Sequence, residues 1–177
     1  MSVLGGAKLR KTVGPSRHAP CGGKARAVPA RRLSPTFGGQ EMSGRMEPNA
    51  AVEIHDSSLE RIETRGRDVV ATIRAYVHRS AGRPGIDAGT GWIQPVRLEF
   101  PKATATGSID AIPMELLGGR LVLSGGTFDN LIPMPVMHVG TSRLELESWN
   151  DARIVIEGDG VSGAFAGPPE YVEDIDP

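Results

Sequence analysis

Histidine, aspartate and serine stand side by side in this chain at His55-Asp56-Ser57-Ser58. These residue types are the parts of a nucleophile–base pair: a hydroxyl attacks, an imidazole takes its proton and a carboxylate orients the imidazole. His55, Asp56 and Ser57 are therefore the candidate catalytic residues of a hydrolase or metal-dependent enzyme centred on His55 and Asp56. Against this, neighbours on a strand point to opposite faces, so His55 and Asp56 are not expected to orient each other. No Gly-x-Ser-x-Gly elbow presents the serine. The plain expectation is a turn in which Asp56 and the two serines hydrogen-bond the backbone.

A metal site would draw on His55, His78 and His138, with Asp56 and Asp129. Zinc and related ions need three or four converging donors. These histidines lie 23 and 60 residues apart and form no local pair, so no metal site is expected from the spacing. Asp129-Asn130 falls in the polar step Gly125-Gly126-Thr127-Phe128-Asp129-Asn130-Leu131-Ile132-Pro133, which reads as a turn and lacks the alternating carboxylates of a calcium loop. With no Walker loop, Gly-x-Gly-x-x-Gly or Cys-x-x-Cys, no cofactor is expected. The candidate binding residues are Asp129, Asn130, Trp92 and Trp149; each tryptophan sits beside glycine or at a loop, where it either closes a β core or anchors a partner.

The elements that must position these residues have period two. In Val69-Val70-Ala71-Thr72-Ile73-Arg74-Ala75-Tyr76-Val77-His78, the residues Val69, Ala71, Ile73, Ala75 and Val77 share one face, and Thr72, Arg74, Tyr76 and His78 the other. That is a half-buried antiparallel strand, with His78 expected in solvent. Val96-Arg97-Leu98-Glu99-Phe100 repeats the pattern, and Leu144-Glu145-Leu146-Glu147 with Ile154-Val155-Ile156-Glu157 form a hairpin around Ser148-Trp149-Asn150-Asp151-Ala152. Weaker strands are expected at 52–55, 109–116, 120–123, 135–139 and 161–166. Gly118-Gly119 and Asp159-Gly160 are read as turn punctuation. Ser57-Ser58-Leu59-Glu60 fits a helical capping box as well as a strand, and strand is the preferred reading. Eight to ten short strands without helix-length patterns imply an all-β fold, an antiparallel β-sandwich or small open barrel.

Charge divides the chain. Residues 1–48 hold nine Lys or Arg against two Glu, whereas residues 49–177 are net acidic by eight. The first segment has paired glycines, prolines and no apolar period, and is expected to be a disordered basic tail. It reads as a nucleic-acid arm, a transit peptide or the result of a translation start placed upstream of Met42 or Met46. The acidic domain, 49–177, is not expected to bind nucleic acid. No apolar run approaches the ~18 residues that span a bilayer, and the lone Cys21 gives no internal disulfide, so a cytoplasmic location without membrane insertion is the default.

The order His55-Asp56-Ser57-x-Leu59, then 68–77, Trp92-x-Gln94-x-Val96-x-Leu98-x-Phe100, Asp129-Asn130-x-Ile132-Pro133 and Ile154-x-Ile156-x-Gly158-x-Gly160, closing on Tyr171-Val172-Glu173, resembles a group of small uncharacterised bacterial all-β proteins. The resemblance spans about residues 52–173. It implies an all-β fold and brings no activity or ligand. The leading functional expectation is a non-catalytic binding module, immunity-like or regulatory, whose acidity suits a basic protein partner.

Overall fold

The computed structural model describes residues 49–176. The expected tail, 1–48, lies outside the described residues. Ten antiparallel strands follow one another: β1 (Asn49–Arg65), β2 (Asp68–Ser80), β3 (Gly89–Phe100), β4 (Thr104–Gly107), β5 (Met114–Leu123), β6 (Gly126–Asp129), β7 (Leu131–Met134), β8 (Val136–Ser148), β9 (Arg153–Phe165) and β10 (Glu170–Ile175). The one helical element among the described residues is the 3-10 turn Ile109–Ala111. No helix there is long and apolar enough to cross a membrane.

The expected all-β antiparallel fold takes the barrel form, and the barrel is closed. Strands pair in the order β3-β2-β1-β5-β8-β9, and β9 returns to β3 through Val96 opposite Phe165 and Glu99 opposite Ser162. Closure pairs both edges of the six central strands over part of their length. The long strands change partner midway: β1 pairs β7 over Ala50–Glu53 and β5 at Ser58 and Leu59. The alternation in β2 does what its pattern predicts, burying Val69, Ala71, Ile73, Ala75 and Val77 against Leu98, Phe100, Leu144, Leu146, Ile154 and Ile156. Each valine, leucine, isoleucine or phenylalanine among these contributes roughly 1.5–3 kcal/mol when taken from water.

Several boundaries differ from those expected. Ile109, Asp110 and Ala111 form the 3-10 turn, and the strand starts only at Met114. Gly118-Gly119 lies inside β5 and Asp159-Gly160 inside β9. Here glycine marks close backbone approach: a Cβ on Gly119 would stand 2.5 Å from the Glu145 carbonyl oxygen, and one on Gly160 2.7 Å from that of His138. The capping-box segment is strand, as preferred. The last strand, β10, follows a Gly167-Pro168-Pro169 step where no strand was expected.

Candidate functional site: an acidic cleft beside a strand bulge

The register between β1 and β2 jumps from Glu53 opposite Tyr76 to Ser58 opposite Arg74, so four residues of β1 face a single residue of β2. Such a bulge bends the strand and re-aims its side chains. Ser57 stabilises it: its hydroxyl donates to the Glu53 carbonyl at 2.6 Å and accepts the Tyr76 amide at 3.0 Å. The backbone bonding expected of this segment is thus found at Ser57, in a bulge instead of a turn. Ser57 is buried and its hydroxyl is held by backbone on both sides, away from any nucleophile's position.

The bulge also overturns the expectation that His55 and Asp56 cannot meet. His55 Nε2 lies 2.9 Å from Asp56 Oδ2 and 4.0 Å from Glu53 Oε2. The alternation rule holds only for a regular strand, and residues 54–57 are outside one. Glu53, His55 and Asp56 converge so that one ligand-type atom from each lies within 4.8 Å of the others.

His78 is corrected as well. It is only 2% exposed, not solvated. The β2–β3 connection folds back over the end of β2, and the Gly85 amide donates to His78 Nδ1 at 2.7 Å. That bond requires a bare Nδ1 and places the ring proton on Nε2, which has no partner among the described residues. Glu53 Oε1 stands 3.5 Å from the same Nδ1. Two glycines of β3 make room for the side chains of β2: a Cβ on Gly91 would lie 2.1 Å from the Tyr76 hydroxyl, and one on Gly89 2.6 Å from His78 Nε2.

These residues wall an open cleft of about 740 Å³. Among the described residues six carboxylates line it, Glu53, Asp56, Asp87, Glu173, Asp174 and Asp176, and no lysine or arginine does. β10 supplies Glu173 and Asp174 through its pairing with Gly89–Ile93 of β3, and Asp176 follows directly after it. The Tyr76 hydroxyl donates to Glu173 Oε1 at 2.9 Å. Burial first, then the Glu173 hydrogen bond and carboxylate, push the Tyr76 hydroxyl well above its ordinary range. Of the six carboxylates, Asp87 alone has an arginine near it among the described residues, Arg83 at 3.7 Å.

The other candidates lie elsewhere. His138 joins neither His55 nor His78 in the cleft; its Nε2 is 3.1 Å from Ser124 Oγ. Asn130 is a structural pin with φ +53°: it exchanges hydrogen bonds with Gly119 and its carbonyl accepts the Ile54 amide at 2.8 Å. Asp129 and Asn130 border a second cleft of about 520 Å³ with Arg120, Arg143, Arg153, Glu145 and Glu147. There Glu145 bonds Arg143 and Arg120, and those arginines hold its carboxyl below the usual carboxylate range. Trp92 closes the barrel's flank: its ring meets Tyr171 edge to face at 5.3 Å and its Nε1 donates to Thr90. Trp149, 71% exposed at the β8–β9 loop, remains outward.

Glu53, Tyr76, Asp87 and the β10 carboxylates were not singled out from sequence. Two signals pointed to them: Gly89-x-Gly91 in a strand, which leaves a groove for large neighbours, and the acidic run Glu173-Asp174-x-Asp176. No family model, curated protein or solved structure matches the chain at a significant level.

Proposed function

We propose that the barrel is a non-catalytic binding module that takes a cationic segment of a protein partner, rich in arginine or lysine, into the acidic cleft. The observation that carries this reading is the concentration of six carboxylates around one cleft without a lining lysine or arginine among the described residues. Like charges held together repel, and near a protein surface a unit-charge pair at 4 Å interacts by about 4 kcal/mol. A guanidinium or ammonium entering the cleft converts that repulsion into attraction. Arginine has the stronger claim, because its planar fork can bond a carboxylate with two parallel hydrogen bonds. Ile86, exposed on the rim, offers an apolar surface for the stems of such side chains.

The test is titration of the full chain with hexa-arginine, with hexa-glutamate as control. Hexa-arginine should bind at low ionic strength and weaken steeply with salt, while hexa-glutamate should not bind. Glu173→Lys/Asp174→Lys should weaken hexa-arginine by about tenfold or more, since two attractive pairs become repulsive. Glu147→Lys/Glu157→Lys alters the net charge equally but outside the cleft and should have a much smaller effect. Equal losses in the two double variants would mean that overall charge, not this cleft, binds the peptide, and would overturn the proposal.

A further inference from the structure

At the bulge, three potential ligands of different kinds converge: an imidazole from His55 and carboxylates from Glu53 and Asp56. We infer that this trio is a binding site for a divalent transition-metal ion of the zinc and cobalt(II) class. The site shares Glu53 and Asp56 with the acidic cleft, yet it does not rest on the partner reading, because it needs only these three side chains.

The chemistry of the donors selects the class of ion. Calcium and magnesium take oxygen ligands, whereas an imidazole with carboxylates suits zinc, cobalt or nickel. Such ions hold nitrogen and oxygen at about 2.0–2.2 Å, so donors around one ion sit roughly 3–4 Å from one another. His55 Nε2 already lies 2.9 Å from Asp56 Oδ2 and 4.0 Å from Glu53 Oε2. His55 and Asp56 are half exposed, so their side chains can make the remaining adjustment without disturbing the core. Three protein ligands leave coordination positions open to water.

The backbone presents the trio for a reason that the barrel does not otherwise require. A regular strand would send Asp56 to the face opposite His55; the bulge turns both outward beside Glu53. His78, nine-tenths and more buried, lines the same cleft with Nδ1 3.5 Å from the second oxygen of Glu53, while its Nε2 faces Gly89 of β3 and finds no partner among the described residues. The barrel keeps a polar ring at this spot although it leaves part of that ring unsatisfied, at the cost such a group carries. His78 packs behind the Glu53 carboxylate as a neighbour and not as a ligand.

The ion would take the Nε2 lone pair of neutral His55, with the ring proton on Nδ1, and no covalent bond of the protein changes.

The experiment is calorimetric titration of the full chain with Zn²⁺, and with Co²⁺ while the visible absorption of the ion is followed. A His18→Ala/Cys21→Ser background removes the one imidazole and the one thiol outside the described residues. One ion should bind per chain. His55→Ala and Glu53→Gln should each weaken it by about tenfold or more, with the β-sheet circular dichroism unchanged. His78→Gln should weaken it less while leaving the cobalt spectrum in place, because the ligands themselves remain. Mg²⁺ should give no comparable uptake. No stoichiometric uptake, uptake unchanged in His55→Ala, or equal uptake of Mg²⁺ would each overturn the inference. None of these outcomes bears on hexa-arginine binding, which is measured without metal.

Discussion

Two clefts on one barrel handle charge in opposite ways. Between β5, β8 and β9, Arg120, Arg143 and Arg153 alternate with Glu145, Glu147 and Glu157, so that every one of these groups has an opposite neighbour. Beside β1, β2 and β10, carboxylates gather, among the described residues, with only histidines, a tyrosine and, at Asp87 alone, Arg83 for company. Exposed ion pairs of the first kind contribute about 0–1 kcal/mol each and complete themselves. The second arrangement leaves five of its six carboxylates without a lysine or arginine partner among the described residues. Charge that is balanced in place maintains a surface; charge left unbalanced awaits something from outside.

The largest expected difference lies in the floors of the clefts. Gly119→Ala puts a Cβ 2.5 Å from the Glu145 carbonyl and 2.9 Å from Leu146 Cδ2, against atoms that cannot swing away. It should cost about 2 kcal/mol in a urea melt. Gly91→Ala meets the Tyr76 hydroxyl, the far end of a side chain that can rotate outward. Its cost should stay under about 1 kcal/mol, offset in part by the gain from removing glycine from a strand. The functional order reverses. Gly91→Ala frees Tyr76 from Glu173, so a tyrosine titration should move back toward the ordinary value of 10, whereas Gly119→Ala should leave it unchanged. A larger stability loss at Gly91 than at Gly119 would contradict the comparison.

A smaller effect separates the clefts by pH. Glu145 ionises below its ordinary range because Arg143, then Arg120, bond its charged form. Its contribution to stability is complete at neutral pH, starts to fade below the ordinary glutamate range and is lost as pH falls through the lowered value. Tyr76 behaves oppositely: its raised pKa makes a contribution that is complete below pH 10 and fades as pH rises beyond it. Urea midpoints measured against pH should therefore fall on the acid side partly through Glu145 and on the alkaline side partly through Tyr76. Glu145→Gln should flatten the first limb and Tyr76→Phe the second. The smallest effect is expected at Trp149→Ala, an exposed loop position that should change stability by less than about 0.5 kcal/mol.

The strands were legible wherever alternation continued without a break, as in β2 from Val69 to Val77 and in the β8–β9 hairpin. Glycine misled, because Gly119 and Gly160 relieve close backbone contacts inside strands instead of reversing the chain. His55 and Asp56 were visible as residues, but their contact depends on a four-against-one bulge that no local pattern announces. His78 was assigned correctly to the face of β2 that carries Tyr76, yet burial came from a connection that folds back from Ala81 to Ala88 and caps the ring with Gly85. The cleft itself joins β1, β2 and the end of β10, elements separated by nearly the whole domain. Such long-range pairing is set by register and closure, which alternation alone leaves open.

The central claim is that the unbalanced cleft, and not the balanced one, receives a cationic ligand. Amide NMR of the full chain titrated with hexa-arginine at low salt reads this directly. The account predicts saturable shifts at Gly85, Asp87, Gly91, Glu173 and Asp174, with little change at Gly118, Gly119 and Glu145. Shifts centred on Gly119 and Glu145, or small shifts spread evenly over every acidic face, would contradict it.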